Sequence, residues 1–463
     1  MARKVTVILA DSDVHGDFTN FLKISGFLMR FSREGFELVI EATRGVRVTR
    51  LTVDDVYQHI RGVCFKTGPL GTVGAETEWL VVDTDDPAAH VPADRVRSLV
   101  AAAGPPPGGS RITYEPGGQV ELSSAPFGAL DALHAALDGD IAHVRNALAP
   151  DGLALAGHGV DPVRRPRFQA DHPRYACMRD YFRSGGFPDA GMAMMCSTAS
   201  VQVNLDIGAD DPDAARRWRL AHALGPVLVA AFANSPLRAG RRTGLRSSRQ
   251  GIWTELDPCR TLPVLRDGAD DDPAEAWTRY ALDARVMLVH TADGAWVTDP
   301  GMSFMEWLDK GEPGEDDLTY HLSTLFPPVR PRGWLELRMI DALPGPYWPV
   351  PVAVTTALLD DPAASRIAEA ATEPVAHRWA EAARCGLSDA ALAAAARTCF
   401  AAALDALPRL GASGLVPLVD EYARRYVERG RSPADDPAPG PSPGGTPDRA
   451  TDPAPRKEPT WPR

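Results

Sequence analysis

The chain has 463 residues, of which 44% are hydrophobic, so it is long enough for one large core or for two or three domains. Its formal net charge of −12 argues against nucleic acid as the main partner. No apolar run reaches the length of a membrane span, and the six cysteines are scattered without a CxxC pair, which predicts a cytoplasmic protein without a membrane anchor, a zinc site or a disulfide framework.

The first predicted element is a helix over residues 51–64, for which Thr52 supplies the N-cap and Asp55 occupies the capping-box position. Residues 1–50 precede it without a clear pattern, and we treat them as an unassigned N-terminal extension. Apolar spacing and turn signals then predict strands over 72–83 and 110–124, helices over 127–148, 174–182 and 211–233, and strands or loops over 245–340.

An alanine- and leucine-rich stretch over 350–430 is predicted to be helical, with breaks at Asp361 and Gly386. Residues 432–463 hold proline, glycine, aspartate and serine with almost no aliphatic side chains, so we expect them to be a disordered tail. A single folded domain is therefore predicted over 51–431, between the extension and this tail.

One predicted strand carries hydrogen-bonding side chains along a single face. These side chains alternate with apolar ones and belong to Thr198, Ser200, Gln202, Asn204 and Asp206. The alternation predicts a strand with one face in the core and the other forming the wall of a polar site. A structural polar ladder is the alternative interpretation of Gln202 and Asn204.

Other segments bring carboxylates to one face. Glu76 and Glu78 share a face if residues 72–83 form a strand, although two exposed acids on an edge strand would give the same pattern. Glu115 and Glu121 flank a Pro-Gly-Gly turn that predicts a hairpin, for which solvated surface acids are the alternative. Several carboxylates that face one space repel one another unless protons or cations intervene, and Mg²⁺ is a hard cation that prefers oxygen ligands.

Arginines supply the complementary charge. Glu336 lies beside Arg338 in a strand-like run, and Arg249 is also predicted to have strand-like neighbours. The guanidinium fork suits carboxylate and phosphate geometry, although most arginines in this chain are expected to be surface residues. No G-x-x-x-x-G-K-[ST] motif is present, so any ATP would be bound without a P-loop. Met192, Met194 and Met195 are interpreted as core or as the wall of a cavity and not as a metal site.

These segments, in this order, resemble the glutamate–cysteine ligase family, and in particular its actinobacterial branch that makes γ-glutamylcysteine for ergothioneine synthesis. The resemblance runs from about residue 52 to about residue 430. Its six motifs are Gly-Ala-Glu-Thr-Glu at 74–78, Thr-Tyr-Glu-Pro-Gly-Gly-Gln-Val-Glu-Leu-Ser at 113–123, Met-Cys-Ser-Thr-Ala-Ser-Val-Gln-Val-Asn at 195–204, Ala-Asn-Ser-Pro at 233–236, the run 249–253 with Asp257 and Arg260, and the run 325–338. The resemblance implies an α+β fold like that of glutamine synthetase and the guanidino kinases, in which a curved antiparallel sheet forms a funnel around the active site and helices pack outside.

The resemblance also implies roles for the site residues. The metal-binding acids would be Glu76, Glu78, Glu115, Glu121 and Glu336. Gln202 and Asn204 would line the site near nucleotide and metal. Arg249 would hold glutamate or the phosphoryl group, and Arg338 would hold the transferring phosphate. The implied cofactor is Mg²⁺, and the implied substrates are ATP, L-glutamate and L-cysteine.

The implied reaction is phosphorylation of the glutamate γ-carboxylate by ATP, followed by attack of the cysteine amine on the acyl phosphate. Three alternatives stay open at this point: a carboxylate–amine ligase that uses another amine, a phosphotransferase acting on a guanidino group, and a metal- or nucleotide-binding regulator with degenerate chemistry. All five acids and both arginines are present in the sequence, which favours an enzyme over a regulator.

Overall fold

A computed structural model describes residues 50–265, 272–290, 296–298 and 301–437, together with the backbone of 21–24, 27–32 and 35–37. The chain divides into two units, Met1–Arg50 and Leu51–Arg463. In the first unit, three short antiparallel strands form a sheet: β1 (Phe21–Ile24), β2 (Phe27–Ser32) and β3 (Gly35–Glu37), with β2 in the middle. The rest of the predicted N-terminal extension lies outside the described residues.

The described part of the second unit contains further strands and sixteen α-helices. The strands are β4 (Val73–Asp83), β5 (Arg111–Tyr114), β6 (Val120–Ser123), β7 (Leu153–Ala156), β8 (Ser200–Asp206), β9 (Leu237–Arg238), β10 (Arg241–Arg242), β11 (Val289–His290), β12 (Trp296–Val297), β13 (Val329–Pro331) and β14 (Trp334–Asp341). The helices are α1 (Val53–Val63), α2 (Ala93–Ala102), α3 (Leu130–Leu148), α4 (Pro173–Ser184), α5 (Pro188–Ser197), α6 (Asp211–Ala231), α7 (Ser248–Glu255), α8 (Pro258–Thr261), α9 (Pro273–Asp283), α10 (Phe304–Lys310), α11 (Glu315–Ser323), α12 (Pro349–Asp360), α13 (Pro362–Thr372), α14 (Trp379–Cys385), α15 (Ala390–Ala406) and α16 (Val416–Arg425).

Seven strands of the second unit form one antiparallel sheet. Its order is β13-β14-β8-β4-β6-β5, and β7 pairs with the distal part of β4. Alternation along the strands sends Trp79, Val203 and Leu337 into one hydrophobic core with side chains from α3, α6 and α12. The opposite face carries the polar side chains. The predicted α+β class, with an antiparallel sheet and helices packed on its apolar face, is confirmed.

Several predicted elements are confirmed in detail. Helix α1 has the predicted capping box: Thr52 Oγ1 accepts a hydrogen bond from the Asp55 amide at 3.2 Å, and Asp55 accepts one from the Thr52 amide at 2.9 Å. The break between α12 and α13 falls at Asp361, whose side chain caps α13. Helix α14 ends at Cys385, directly before Gly386.

The prediction of strands or loops over 245–340 is wrong for much of its length, because α7 to α11 lie there. Each of these helices has eleven residues or fewer, so none shows the long apolar periodicity that identifies a helix in a sequence. Four of them begin at a polar residue whose side chain accepts a first-turn amide: Ser247, Asp257, Asp272 and Ser303. Arg249 therefore lies on a helix and not among strand residues. Helices α2 and α5 and strand β7 are also absent from the predicted elements.

Two observations concern the prediction that the protein has neither a disulfide framework nor a membrane anchor. All six cysteines lie in the described residues, and all are free thiols. Among the described residues, no single helix is both long and apolar enough to cross a bilayer. One pair passes that test only when taken together, Trp379–Ser388 with Ala390–Ala406, and it is bent by 79°.

The tail is predicted to begin at residue 432, but the structure describes packed residues beyond that point. Residues 432–437 are described, and Ala434 is buried. Its amide donates a hydrogen bond to the Ala233 carbonyl at 3.0 Å, and Asp436 accepts one from the Tyr426 hydroxyl at 2.7 Å. Packed structure thus continues past residue 431, and the remainder of the predicted tail lies outside the described residues.

We expect truncation before residue 432 to lower the melting temperature by about 2–4 °C, because it removes a buried segment and its hydrogen bonds. Truncation after residue 437 is the matched control, and the composition of the segment it removes predicts little change. Differential scanning fluorimetry of both shortened proteins beside the full chain measures the difference. Equal melting temperatures for the two truncations would show that residues 432–437 add no stability.

Candidate active site

A cavity of about 300 Å³ lies on the polar face of the sheet. Strands β4, β6, β8 and β14 contribute residues to it, and α4, α5 and α7 contribute the surrounding wall. The residues that line it are Glu76, Glu78, Glu115, Pro116, Gln119, Glu121, Arg174, Tyr175, Met178, Met194, Met195, Thr198, Gln202, Arg249, Trp253, Ser323, Phe326, Arg330, Arg332 and Arg338. Seven of the nine predicted site residues are in this set, and the other two, Asn204 and Glu336, contact members of it.

Three of the predicted acids form a compact cluster. Glu78 on β4 and Glu121 on β6 are direct cross-strand partners, and Glu115 follows the end of β5. One carboxylate oxygen from each lies within 4.8 Å of the others. Such a group of hard oxygen ligands fits a divalent cation such as Mg²⁺.

The predicted Pro-Gly-Gly hairpin brings Glu115 and Glu121 together. The Glu115 amide donates to the Gln119 carbonyl at 2.9 Å, and the Gly118 amide donates to the Glu115 carbonyl at 2.8 Å. Gly118 has a φ of +89°, which favours glycine. A Cβ on Gly117 would lie 2.2 Å from the Cys196 carbonyl oxygen, so this turn needs glycine to approach α5.

The two amides of β8 hold the acids of β4. Gln202 Nε2 donates to Glu78 at 3.0 Å, and Asn204 Nδ2 donates to Glu76 at 3.2 Å. Gln202 Oε1 in turn accepts a hydrogen bond from Arg338 Nη1 at 2.6 Å. The predicted polar wall is therefore present, and Gln202 links a carboxylate to an arginine across it.

Two other polar residues of that stretch, Thr198 and Asp206, have hydrogen-bond partners outside the acid cluster. Thr198 lines the cavity but precedes β8, and its hydroxyl donates to the Met194 carbonyl at 2.6 Å. Asp206 accepts hydrogen bonds from the amides of Gly71 and Thr72, both at 2.8 Å, and so holds the entry to β4. Ser200 is fully buried.

Glu336 is enclosed by arginines. Arg330 lies opposite it on β13 and forms two hydrogen bonds with its carboxylate, of 2.6 and 3.1 Å. Arg338 Nη1 lies 3.0 Å from Glu336, and Arg332 Nη1 lies 3.5 Å away. Burial alone would raise the pKa of Glu336, but these arginines lower the pKa well below its usual range. Glu336 is thus an anion whose charge is already neutralised by its neighbours, and its role as a metal ligand stays a prediction.

The other four acids have raised pKa values. Burial is the main cause in each case, and it raises the pKa of Glu76 to about 7. Neighbouring carboxylates add to this effect, chiefly Glu336 on Glu76, Glu121 on Glu115, and Glu78 on Glu121. Burial also raises the pKa of Glu78, although Arg249 and Arg338 oppose the shift. These acids therefore retain a demand for protons or cations that the arginines do not meet.

Arg249 provides a buried cation with free donors. It lies in the first turn of α7, is only 2% exposed, and stands over the Trp253 ring with 5.6 Å between the guanidinium carbon and the ring centroid. Its Nε and Nη1 have no hydrogen-bond partner among the described residues. Burial lowers its pKa, whereas Glu78 and Asp341 raise it. A buried guanidinium with free donors beside a cavity suits an anionic ligand.

Several cavity residues are not among those predicted from the sequence. Arg330 could have been found from the glycine turn between β13 and β14, since Gly333 has a φ of +82° and pairing across this turn sets Arg330 opposite Glu336. Arg174 and Trp253 lie on helices that face the sheet, and a single sequence carries no signal for that approach. Met194 and Met195 line the cavity, as interpreted.

The predicted motif residues Asp257 and Arg260 lie behind this site. Both are fully buried. Asp257 accepts hydrogen bonds from Tyr181 and, at 2.7 Å, from Arg285, while Arg260 donates to the Thr324 carbonyl at 2.7 Å. This network joins α4 and α8 to the chain around residue 324, and so it supports the cavity wall without lining it.

An antiparallel sheet carries a carboxylate cluster and buried arginine donors around one cavity, and this arrangement suits an enzyme that acts on anionic substrates with the help of a divalent cation. The chain belongs to the glutamate–cysteine ligase family 2, whose family profile matches residues 72–438.

Named relatives agree with this assignment. The glutamate–cysteine ligase EgtA of Mycolicibacterium smegmatis is 45% identical over 398 residues, which cover 84% of this chain and 92% of that protein. EgtA of Mycobacterium tuberculosis is 42% identical over 388 residues, covering 82% of this chain and 88% of that one. Among solved structures, the glutamate–cysteine ligase of Francisella tularensis in complex with AMP matches with a TM-score of 0.48 and 14% identity, over 80% of this chain and 84% of that one.

In protein stripped of divalent ions, we expect the melting temperature to fall as the pH rises from about 5 to about 8. The folded-state pKa of Glu76 is about 7 against an ordinary value of 4.5, so the stability contributed by its proton is complete below pH 4.5 and is lost as the pH rises through 7. Added Mg²⁺ should therefore raise the melting temperature more at the higher pH.

The replacement Glu121→Gln should reduce the rise in melting temperature that Mg²⁺ causes, because the amide keeps the shape of the side chain but loses the negative charge of the ligand. Glu369→Gln is the matched control, since Glu369 pairs with Arg216 away from the cavity. Fluorimetry with and without Mg²⁺ at each pH measures both effects. A Mg²⁺ shift that is equal in wild type and Glu121→Gln, or that does not grow with pH, would contradict a cation site at these acids.

Proposed function

We propose that this protein joins the γ-carboxylate of L-glutamate to the amine of L-cysteine at the expense of ATP, and so supplies γ-glutamylcysteine for ergothioneine synthesis. The observation that carries the proposal is the cluster of Glu78, Glu115 and Glu121 beside the free donors of Arg249 and Arg338. Relatives that align with more than four fifths of the chain are named glutamate–cysteine ligases. Six free thiols suit a reducing cytoplasm.

The reaction needs an activated carboxylate, because an amine does not displace oxide from a carboxylate in water. In the proposed first step, a γ-carboxylate oxygen of glutamate attacks the γ-phosphorus of ATP, the bond to the β-phosphate oxygen breaks, and ADP leaves. In the second step, the cysteine nitrogen attacks the acyl carbon of γ-glutamyl phosphate. The bond between the acyl carbon and the phosphate oxygen breaks, inorganic phosphate leaves, and the cysteine ammonium loses two of its three protons, so that the amide keeps one N–H.

A divalent cation, when bound, would neutralise phosphate charge and orient the γ-phosphate for in-line attack. Glu78, Glu115 and Glu121 would hold it, with Glu76 beside them. Thr113 and Ser123 donate hydrogen bonds to Glu121, at 2.7 and 3.2 Å, and so orient its carboxylate toward the cluster. Mg²⁺ suits this all-oxygen set of ligands.

The glutamate carboxylate and the phosphates of ATP are both negative and repel each other, and the arginines would reduce this repulsion. Arg338 is held by Glu336 and Gln202 through Nη1, which leaves its buried Nε without a partner among the described residues. Arg249 on α7 offers two further nitrogens without a partner among the described residues. We assign Arg338 to the transferring phosphoryl group, and Arg249 to glutamate or to the same phosphoryl group.

We assign the apolar part of the cavity to the acceptor, a thiol-bearing amine. Met178, Met194 and Phe326 line the same cavity as the acids. Sulfur makes favourable contacts with aromatic rings, and Phe326 offers such a ring beside the two methionines. A carboxylate–amine ligase that prefers another amine is the competing proposal, and it differs only in this part of the cavity.

With ATP, Mg²⁺, glutamate and cysteine, we expect formation of γ-glutamylcysteine with one ADP released per product, followed by mass spectrometry and a coupled assay. Serine and 2-aminobutyrate are the matched acceptors, because they keep the size of cysteine and replace its thiol. Robust turnover with another amine and none with cysteine would favour the general ligase. ADP release without any amide product would contradict both proposals.

Replacement Arg338→Lys should lower kcat by about 10- to 1,000-fold while changing the KM for glutamate much less, because lysine keeps the charge but loses the fork that meets both Gln202 and phosphate. Arg217→Lys is the matched control: Arg217 is fully buried, but it donates to the Asp206 and Leu359 carbonyls away from the cavity. It should lose stability and keep its kcat. An Arg338→Lys enzyme with lowered melting temperature and unchanged kcat would make Arg338 a structural partner of Glu336.

A further inference from the structure

Asp341 is a buried carboxylate that the proposed chemistry does not use. It ends β14 on the polar side of the sheet, and it is only 2% exposed. Its Oδ2 accepts hydrogen bonds from the backbone amide of Asn234 at 2.9 Å and from the Ser235 hydroxyl at 2.7 Å. Its Oδ1 accepts one from the Ser247 hydroxyl at 2.9 Å. Each of its oxygens is thus satisfied by groups from other segments of the chain.

The hydroxyl groups of Ser235 and Ser247 link this carboxylate to helix α7 through hydrogen bonds. Ser247 is the N-cap residue, and its Oγ accepts a hydrogen bond from the Gln250 amide at 3.1 Å. Ser235 Oγ accepts one from the Arg249 amide, also at 3.1 Å. Each hydroxyl therefore donates to Asp341 and accepts from an amide in the first turn of α7, which ties that turn to the end of β14.

Space for this arrangement is provided by Gly159. A Cβ at that position would lie 2.3 Å from Asp341 Cγ, so only glycine lets the carboxylate occupy its site. The Asn234 side chain fixes the neighbouring backbone, because its Nδ2 donates to the carbonyls of Gly157 and Ala342 at 2.9 and 2.8 Å. The Ala-Asn-Ser-Pro motif thus acts around Asp341 and not in the cavity.

We propose that Asp341 is a positioning residue that sets the first turn of α7, and thereby aims the Arg249 guanidinium into the cavity. The Arg249 side chain has no hydrogen bond of its own from Nε or Nη1 among the described residues, so its direction depends on the backbone that carries it, on its stacking over Trp253, and on the nearby charges of Glu78 and Asp341. Ser235→Ala and Ser247→Ala leave the Asp341 charge in place and so test the backbone route by itself. Asp341 fixes that backbone through both serines. This inference rests on the proposed function only for its kinetic readout.

A carboxylate is required because every group around it is a donor. In Asp341→Asn, one oxygen becomes an NH₂ group. At the Oδ2 position it would oppose the backbone amide of Asn234, which is a donor, and at the Oδ1 position it would force the Ser247 hydroxyl to turn and accept instead of donate. Either orientation disturbs a hydroxyl or an amide of the segments that hold the first turn of α7. We expect kcat/KM to fall by about 10- to 100-fold, since a displacement near 1 Å of a group that holds substrate has such an effect.

A double-mutant cycle with Arg249→Lys separates positioning from general structural damage. If Asp341 acts through Arg249, the double variant should lose about as much kcat/KM as the more damaged single variant, within about twofold. Losses that multiply would overturn the proposal. Because Asp341→Asn removes a buried acceptor and the fold could suffer, Ser235→Ala and Ser247→Ala serve as milder variants, and each should show the same masking with Arg249→Lys.

Asp140→Asn is the matched control. Asp140 is also fully buried, and it also accepts backbone amides, from Gly108 and Ser110, but it lies on α3 away from α7. Its replacement should lower the melting temperature and leave kcat/KM per folded molecule unchanged. Combined with Arg249→Lys, it should leave the kinetic loss caused by Arg249→Lys unchanged. An equal kinetic loss in Asp140→Asn would show that any buried acceptor has this effect.

A second readout does not need the proposed reaction. Arg249 stands over the Trp253 indole, so the fluorescence assigned to Trp253, taken as the difference between each protein and its Trp253→Phe counterpart, reports on the guanidinium. Asp341→Asn and Arg249→Lys should alter this difference spectrum in the same way, and Asp140→Asn should not. An unaltered spectrum in Asp341→Asn would overturn the inference even if no γ-glutamylcysteine were formed by the wild type.

Discussion

Repulsion among buried carboxylates is the physical constraint on which the rest of this structure depends. Five glutamates approach one face of the sheet. Their carboxyl groups lie in a site of low dielectric constant, so they cannot all be ionised unless cations compensate the negative charge. The structure divides them into two groups. Glu336 receives its compensation from arginines of the same hairpin, whereas Glu78, Glu115 and Glu121 have fewer cations nearby and form the group that we propose as the cation site.

Gln202 connects these two groups. Its amide nitrogen donates to Glu78 and its oxygen accepts from Arg338, so the two ends of one neutral side chain meet groups of opposite charge. This arrangement fixes the orientation of the amide, because the reverse orientation would place a donor against a guanidinium. A glutamate at this position would add another negative charge to the cluster, which explains why an amide suits the centre of the wall.

The strands that form the floor could be predicted from the sequence because each carries its own two-residue alternation or its own turn. Gln202 and Asn204 were placed by alternation, and Glu115 and Glu121 by the Pro-Gly-Gly turn that aligns them. The walls could not be predicted in this way. Arg249 lies on a helix of eight residues, too short for apolar periodicity, and its neighbour Trp253 reaches the cavity only through tertiary packing. The pairing of Arg330 with Glu336 was within reach, since the glycine turn between β13 and β14 sets it.

The residues after 431 have a consequence for the order in which the site is completed. The Ala434 amide binds the Ala233 carbonyl, directly before the Asn234-Ser235 segment that holds α7, and Asp435 forms an ion pair of 2.8 Å with Arg246, directly before Ser247. A nascent chain therefore carries all the acids of the cavity long before it has made the segment that braces α7. During synthesis the sheet with its acids can form first, and the wall that carries Arg249 reaches its final form only after residues 434 and 435 have left the ribosome.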